Sequence, residues 1–551
     1  MSPLPALRRR GPENHQLRFD LPTTPADRIR DVLADSRYQL LGGALLFLVV
    51  SFFRRQQWGV GTDIWEHAAA ARQLGANPLH PGHPLLSIDE PHQFYSPYAL
   101  VLGIASRLTG LSIVTVLSLV GVVNLVLLMT GLWLLLTRLL NRKDVALWAV
   151  LFVLLLWGPN AWNFSGFLHL KALPFVLPYP ATFSMGLMLF GLWAYLGFLQ
   201  TERRRPLAAV GVVFWVVLLT HPVDAITLAI GIAALTLAGP PERLRTNLTL
   251  GGATLVLGFV AACFWPYFNF LDLLFGASNE AYRDALRADD HLMYQSVLGR
   301  VWPMLVVLPF VVRRALYGDR RDALTLWFAG LLLAYGYGWW SQNWAYGRLI
   351  AALMLVGAMI LADERSLAAR IAAALGVVGR PALRWVQVST LALLGVGLFY
   401  GRNGFAVLPP KLVDALPSGW VRNEIELADL SEYSFLPRFV GEGPVVLADG
   451  FTALEAPAFG AKMLAVPRPE AFVDTSQRSA DLNRFFDKGT SVADRRAILS
   501  KYRASYLLLR NSALATEPDK YGPLLRLGSL AHRNQRFTLL DVRSVRPVPG
   551  S

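Results

Sequence analysis

Apolar stretches of nearly bilayer-crossing length follow one another through most of this chain, and basic residues gather in every second gap between them. A membrane span needs roughly 17–25 apolar residues. Stretches near that length occupy 38–53, 111–137, 144–159, 179–199, 207–221, 223–239, 248–266, 298–312, 323–338, 346–362 and 386–400. The chain is 54% hydrophobic and 16% charged over 551 residues. Soluble domains carry about 25% charged residues, so a set of soluble globules is excluded. The fold class expected is mainly α, a polytopic helical membrane protein with about 11 spans.

The basic residues give that bundle a direction. They fall at Arg138, Arg142 and Lys143; at Arg203, Arg204 and Arg205; at Arg243 and Arg245; at Arg313, Arg314, Arg320 and Arg321; and at Arg365, Arg370, Arg380 and Arg384. With the Arg-rich segment 1–37 they occupy alternate loops, and the positive-inside rule places them in the cytoplasm. The net charge of +14 is therefore an orientation signal, and nucleic acid is not an expected partner. The segment 95–110 is apolar enough to be one more span, but that would move every later basic loop outside. It is expected as an interfacial helix on the outer side. The N-terminus is then inside and the C-terminus outside. The first polar stretch is too long for a cleavable signal peptide. The single Cys263 lies in an apolar run, so no disulfide is expected.

This geography gathers the unusual polar residues on the outer loops 54–110, 160–178, 267–297 and 339–345. After Gly401 the composition changes. "VVLAD" (445–449), "KMLAVP" (462–467), "SYLLLR" (505–510) and "FTLLDV" (537–542) read as short strands. Between the second and third lie helical patterns, one opening at Ser491. Residues 401–551 are thus expected to form an extracytoplasmic α/β domain. No Gly-rich phosphate loop follows its first strand.

"GTDIWEHAAAARQL", directly after the first span, sets Asp63, Glu66 and His67 within one helical turn. Asp63 and Glu66 have capping-box spacing, in which the Asp accepts early backbone N–H groups and the Glu reaches back to the cap. The same carboxylate at the rim of a water-poor cleft suits proton abstraction. Both readings stand on the sequence. The Pro-rich stretch 77–98 forbids a long helix and carries His80, His83, His92, Asp89, Glu90 and Tyr95. Imidazole and carboxylate are common ligands for divalent cations, yet the spacing matches no closed zinc pattern, and no cofactor is expected. Arg348 in "WWSQNWAYGRLI" either snorkels to head groups or grips a phosphate. His169 and Lys171 in "SGFLHLKALPF" are similar candidates. His221 reads as a helix-end histidine bonded to a backbone carbonyl.

The order of these features resembles the polyprenyl-phosphate-sugar-dependent GT-C membrane glycosyltransferases, a superfamily that includes aminoarabinose and mannosyl transferases. The motifs are an acid after the first span in "GTDIWEHAAAARQL", the Pro/aromatic stretch "PHQFYSPYALVLGIASRLTG", and a span ending in "LWLLLTRLLNRKD". The resemblance implies sugar transfer from a polyprenyl-phosphate donor to a glycan, lipid or protein acceptor of the cell envelope, at the outer face of a bacterial inner membrane. It implies that Asp63 is the base and that Arg348 contacts the donor phosphate. Glu66, His67, His83, Glu90, Tyr95, His169 and Lys171 are the implied substrate-binding set. One departure is that "WNFSGFLHLKALPFVLPYPATF" has no second-loop acid. The competing readings are a transporter or flippase of lipid-linked substrates and a non-catalytic envelope scaffold.

Overall fold

The computed structural model describes residues 62–545, less 143, 276–279, 319–320, 375–378, 408–409, 422–429, 442 and the side chains of 366–387, with a few isolated positions before residue 50. The segment 1–37, expected in the cytoplasm, and most of the first expected span, 38–53, lie outside the described residues. Residue contacts divide the chain into Met1–Phe47 and Leu48–Ser551; the second unit holds all that follows.

The helices are α1 (Ile64–Ala76), α2 (Pro97–Thr109), α3 (Ile113–Leu140), α4 (Val145–Leu155), α5 (Pro180–Thr201), α6 (Arg205–Thr220), α7 (Pro222–Ala238), α8 (Leu244–Cys263), α9 (Glu280–His291), α10 (Leu308–Tyr317), α11 (Ala323–Ser341), α12 (Ile350–Ala374) and α13 (Gly379–Gly401). The expected spans after the first fall on helix, except that 298–312 is broken into a short helix at Val297–Val301, a 3-10 turn at Trp302–Val307 and the start of α10. Among the described residues, four helical stretches are long and apolar enough to cross a membrane: Ile113–Leu140, Pro180–Thr201, Pro241–Cys263 and Trp344–Arg365. The bent pair Glu280–Tyr294 and Val297–Tyr317 makes five if it counts as one span. The expected span 144–159 shortens to the 11 residues of α4, about 16 Å at 1.5 Å per residue. Gly158 ends it: its N–H bonds the Arg300 carbonyl at 2.7 Å. Large apolar side chains on α3 and α8, among them Val123, Val126, Val256 and Leu257, point outward and are exposed. On a soluble protein such faces would aggregate; on this one they suit lipid.

The loops sort into two ends. At one, Arg138 bonds Gln200, Arg243 pairs with Glu202, and Arg142 and Arg314 pair with Asp363. Arg313 and Arg314 also meet Glu364. At the other, Tyr98 bonds the Pro178 carbonyl at 2.7 Å, Trp265 that of Tyr95 at 2.6 Å, and Tyr267 that of Pro78 at 2.7 Å. The basic loops thus share one end of the bundle, and the loops holding the candidate residues share the opposite end.

The segment 95–110 is a helix, as expected. Its α2 starts at Ser96, whose hydroxyl accepts the Ala99 N–H, and stops at Gly110 with φ 69°. Gly75 and Gly103 let α1 and α2 cross backbone to backbone: a Cβ on Gly103 would lie 2.3 Å from the Ala71 carbonyl oxygen. Backbone cannot yield cheaply, so Gly103→Val is expected to destabilise by at least about 1–3 kcal/mol. Gly252→Ala, where a Cβ meets nothing within 4 Å, should leave the thermal midpoint unchanged or slightly raised. Unfolding curves of the two detergent-solubilised variants check the contrast.

The C-terminal layer is a five-stranded sheet: β1 (Val445–Ala448), β2 (Lys462–Met463), β3 (Ala504–Arg510), β4 (Ser529–Arg533) and β5 (Phe537–Asp541), in the order β2-β1-β3-β5-β4. β1 runs parallel to β2 and β3, and β5 antiparallel to β3 and β4. Helices α14 (Ser476–Phe486) and α15 (Val492–Lys501) precede β3, and the Ser491 hydroxyl caps α15 by accepting the Asp494 N–H. The sequence reading missed β4, a mostly exposed edge strand whose "SLAHR" shows no apolar run. The expected strand 462–467 is cut to two residues because the chain leaves the sheet. Against β2, Leu86 forms a parallel bridge with Met463, and the Met463 N–H bonds the Leu85 carbonyl at 2.6 Å. The first outer loop thereby joins the sheet edge.

Candidate active site

Asp63 stands at the N-terminus of α1, but it does not cap it. Its backbone is already helical at φ −71° and ψ −5°, and its side chain makes no capping hydrogen bond. The capping-box expectation is therefore corrected: from helical dihedrals the short Asp side chain does not fold back onto the first N–H groups. Asp63 Oδ1 instead accepts the Tyr179 hydroxyl at 3.0 Å, across from the residue that leads into α5. The Ala-rich turns hold α1 rigid. Trp65, on another side of it, is fully buried against Tyr433 and Phe459. The carboxylate's direction is set by tertiary packing.

Glu66 does not reach back to the helix start either. It is 3% exposed and lies 3.8 Å from the Arg468 guanidinium. Burial, then the charge of Glu470, push its carboxyl well above the ordinary glutamate range; Arg468 opposes this and Asp63 adds to it. The sign for stability follows. A raised acid binds its proton more tightly in the folded chain, so it costs stability as pH rises from the ordinary glutamate value toward the raised one. Glu66→Gln should therefore melt closer to the wild type at pH 5 and gain on it at pH 8. Parallel melts at the two pH values check this; an offset that does not change with pH would contradict it.

His67 stacks on Phe94 with ring centroids 4.2 Å apart. Burial lowers its pKa to about 4, with Asp63 opposing, so it enters chemistry near neutrality as a neutral imidazole. His221 bonds the Asp224 carboxylate at 2.9 Å, not a backbone carbonyl; the acid three residues on is the nearer acceptor.

Other expected binding residues have structural partners. Tyr95 is buried and donates its hydroxyl to the Gly82 carbonyl. His169 is held from both ring nitrogens, Nε2 at 2.8 Å from the Trp162 carbonyl oxygen and Nδ1 accepting the Ala172 N–H. Burial lowers its pKa to about 4. Lys171 lines a cleft of about 250 Å3 with Asn160, Asn163 and Tyr400. Arg348 Nε bonds the buried Asp290 at 2.6 Å, so its charge is met inside the protein. Glu90 is exposed.

A second cluster adjoins the first. His83, His92 and Glu470 are buried, and one ligand atom from each lies within 4.8 Å of the others. Glu470 Oε2 accepts from Gln93 Nε2 at 3.0 Å and faces His92 Nε2 at 3.1 Å and His83 Nε2 at 3.9 Å. The ring protons decide what this group can hold. His83 Nδ1 accepts the N–H groups of Leu85 and Leu86, and His92 Nδ1 that of Phe94. A nitrogen that accepts carries no proton, so both Nε2 atoms are N–H donors in the neutral rings. Metal-bound histidines show the reverse arrangement, the second nitrogen donating outward. Both Nε2 atoms lie near Glu470 Oε2 without a completed hydrogen bond to it, and rings protonated at Nε2 do not fit a metal ion. His80 and Asp89, which the sequence grouped with them, are exposed.

The sequence reading missed Tyr179, Arg468 and Glu470. Each lies more than 100 residues from Asp63, and none belongs to a local pattern that announces it. The charge of Glu470, like that of Asp63, reaches Glu66 and raises its carboxyl.

No family model matches the chain, and no curated protein matches it by sequence. In structure it is similar to the oligosaccharyltransferase of Archaeoglobus fulgidus in its apo form, at 12% identity and a TM-score of 0.51 over 86% of this chain and 69% of that one. The same enzyme tethered to an acceptor peptide containing the NVT sequon gives 12% and 0.52 over 88% and 70%. ArnT from Cupriavidus metallidurans bound to undecaprenyl phosphate gives 14% and 0.51 over 95% of this chain and 100% of that one. The chain thus shares the fold of these solved membrane proteins.

Proposed function

We propose that this chain is a membrane glycosyltransferase that moves a hexosyl or pentosyl group from a polyprenyl-phosphate donor to a hydroxyl of a cell-envelope glycan, lipid or protein. The observation that carries the reading is the Asp63 carboxylate. It is spared from helix capping, aimed by Tyr179, and set with Glu66 and Arg468 at the bundle end opposite the basic loops. That ArnT of the same fold was solved with undecaprenyl phosphate supports a polyprenyl-phosphate donor.

The chemistry is one displacement. Asp63 takes the acceptor hydroxyl's proton as its oxygen bonds to the anomeric carbon. The bond from that carbon to the phosphate oxygen breaks, and its electron pair leaves with the phosphate. A single displacement inverts the anomeric centre, by analogy with inverting glycosidases. Glu66, whose carboxyl is pushed by burial well above the ordinary glutamate range, sits beside the base as its weaker competitor for a proton-accepting role. Lys171 or Arg348 is the side chain proposed to meet the leaving phosphate, though Asp290 already meets Arg348. The donor's tail lies in lipid, with the active end outside a bacterial inner membrane. The test uses purified protein in liposomes with a synthetic polyprenyl-phosphate sugar and extracted envelope acceptors. Free polyprenyl phosphate should accumulate with acceptor glycosylation; transfer from a nucleotide sugar without the lipid donor would overturn the reading.

A further inference from the structure

The stretch "VPRPEAF", 466–472, leaves the sheet after β2 and runs to the outer loop. Its beginning is tied down by the Met463–Leu85 backbone bond and by Lys462, whose Nζ donates to Gln73 Oε1 at 2.9 Å, to the His83 carbonyl at 2.7 Å and to that of Pro84 at 3.1 Å. Its far end is tied by Glu470, 1% exposed, and by Phe472 packed on Phe268. Between the ties, Pro467 and Pro469 fix φ on both sides of Arg468. The result is a short stiff bridge with one side chain at its middle. That side chain is 42% exposed and faces the buried Glu66.

We propose that Glu470 is a positioning residue: held by the Gln93 hydrogen bond and packed beside His92 and His83 of the loop 77–98, it fixes the bridge that carries Arg468 to the mouth of the Asp63–Glu66 site, where Arg468 meets the donor's phosphate. The C-terminal layer thereby completes the active site. A guanidinium suits phosphate geometrically, with paired N–H groups matching paired oxygens. Arg468 lies close enough to alter the ionisation of both Glu66 and His67, so a phosphate within its reach is next to the base. The reason for a buried carboxylate two residues away is mechanical. A free loop after β2 would place Arg468 imprecisely; a short bridge clamped at both ends does not. Ordering costs about 1–2 kcal/mol per residue, and the clamp meets that cost during folding instead of at each turnover.

The role of Arg468 rests on the proposed glycosyl transfer; the clamp does not. Full-length protein in nanodiscs carrying Glu470→Gln, Arg468→Ala or both is compared with the wild type by hydrogen exchange, by donor KM and acceptor KM, and by metal content. Glu470→Gln is expected to speed exchange in 464–473 and 83–95 together while the bundle is unaffected. Arg468→Ala should raise donor KM at least tenfold and leave acceptor KM within twofold. The double variant should be no worse than Arg468→Ala, because a positioning residue has nothing left to position. Unchanged exchange in Glu470→Gln overturns the clamp, and additive losses overturn positioning. One tightly bound metal per wild-type chain, lost in Glu470→Gln, would make Glu470 a ligand and overturn the proton assignment. If the wild type transfers no sugar from any lipid donor, the exchange data still decide the clamp, and the functional reading alone falls. Should Glu470→Gln not fold, His92→Gln, which removes one ring packed beside Glu470 and keeps an N–H donor, is read in its place: exchange in the two segments rises if the clamp is right and stays flat if it is wrong.

Discussion

Asp63→Asn is expected to lower the rate of sugar transfer roughly 100- to 10,000-fold, the range lost with a general base, while the protein folds and binds donor normally. The substitution is nearly isosteric. Its amide oxygen still accepts the Tyr179 hydroxyl, so the contact at 3.0 Å survives. Since Asp63 makes no side-chain cap, α1 loses nothing at its start. What disappears is the capacity to take a proton. The loss should therefore fall on kcat, with donor KM within about threefold of the wild type. A residual rate within tenfold of wild type would assign the base role elsewhere, and Glu66, one helical turn away and buried, is the group to examine next.

The largest effect on stability is expected at the opposite end. Arg314 bonds Asp363, Glu364 and Asp322, and its side chain is only 10% exposed. The carboxylates of Asp363 and Glu364 are buried on α12, so Arg314 ties the end of α10 and the start of α11 to α12. Arg314→Met would leave buried negative charge only partly met by Arg142 and Arg313. Removing one partner of a buried ion pair costs about 3–5 kcal/mol. We expect a thermal midpoint lowered by several degrees and a reduced monodisperse yield. Arg287→Ala breaks an exposed pair with Asp284 and should change stability by less than about 0.5 kcal/mol. Equal melting of the two variants would refute the distinction.

The contrast between those residues shows what kind of information a chain carries locally. Helix positions in the bundle follow from runs of apolar residues, and their alternation follows from arginine placement, because both depend on neighbours in sequence. The Ser491 cap was readable for the same reason. Asp63 was readable as a candidate from "GTDIWEH", but its capping role was not, since the dihedral that prevents it is set by contacts with Tyr179 and the C-terminal layer. The lengths of the apolar helices were overestimated where irregular chain finishes the crossing, as after α4. Strand β4 gave no signal because an exposed edge has no buried face to pattern. Arg468 and Glu470 sit in a Pro-flanked loop about 400 residues from the helix they serve. Only the docking of Met463 against Leu85 brings them there, and no spacing rule spans that distance.

The proposed function requires the end of the bundle that holds Asp63, Glu66 and Arg468 to face away from the cytosol. Glu90 is an exposed position in the first outer loop, and Cys263 is the native cysteine. A Glu90→Cys variant in a Cys263→Ser background, treated in intact cells with a membrane-impermeant maleimide, measures that side directly. The account predicts full labelling before the cells are opened. Labelling that appears only after permeabilisation would contradict it.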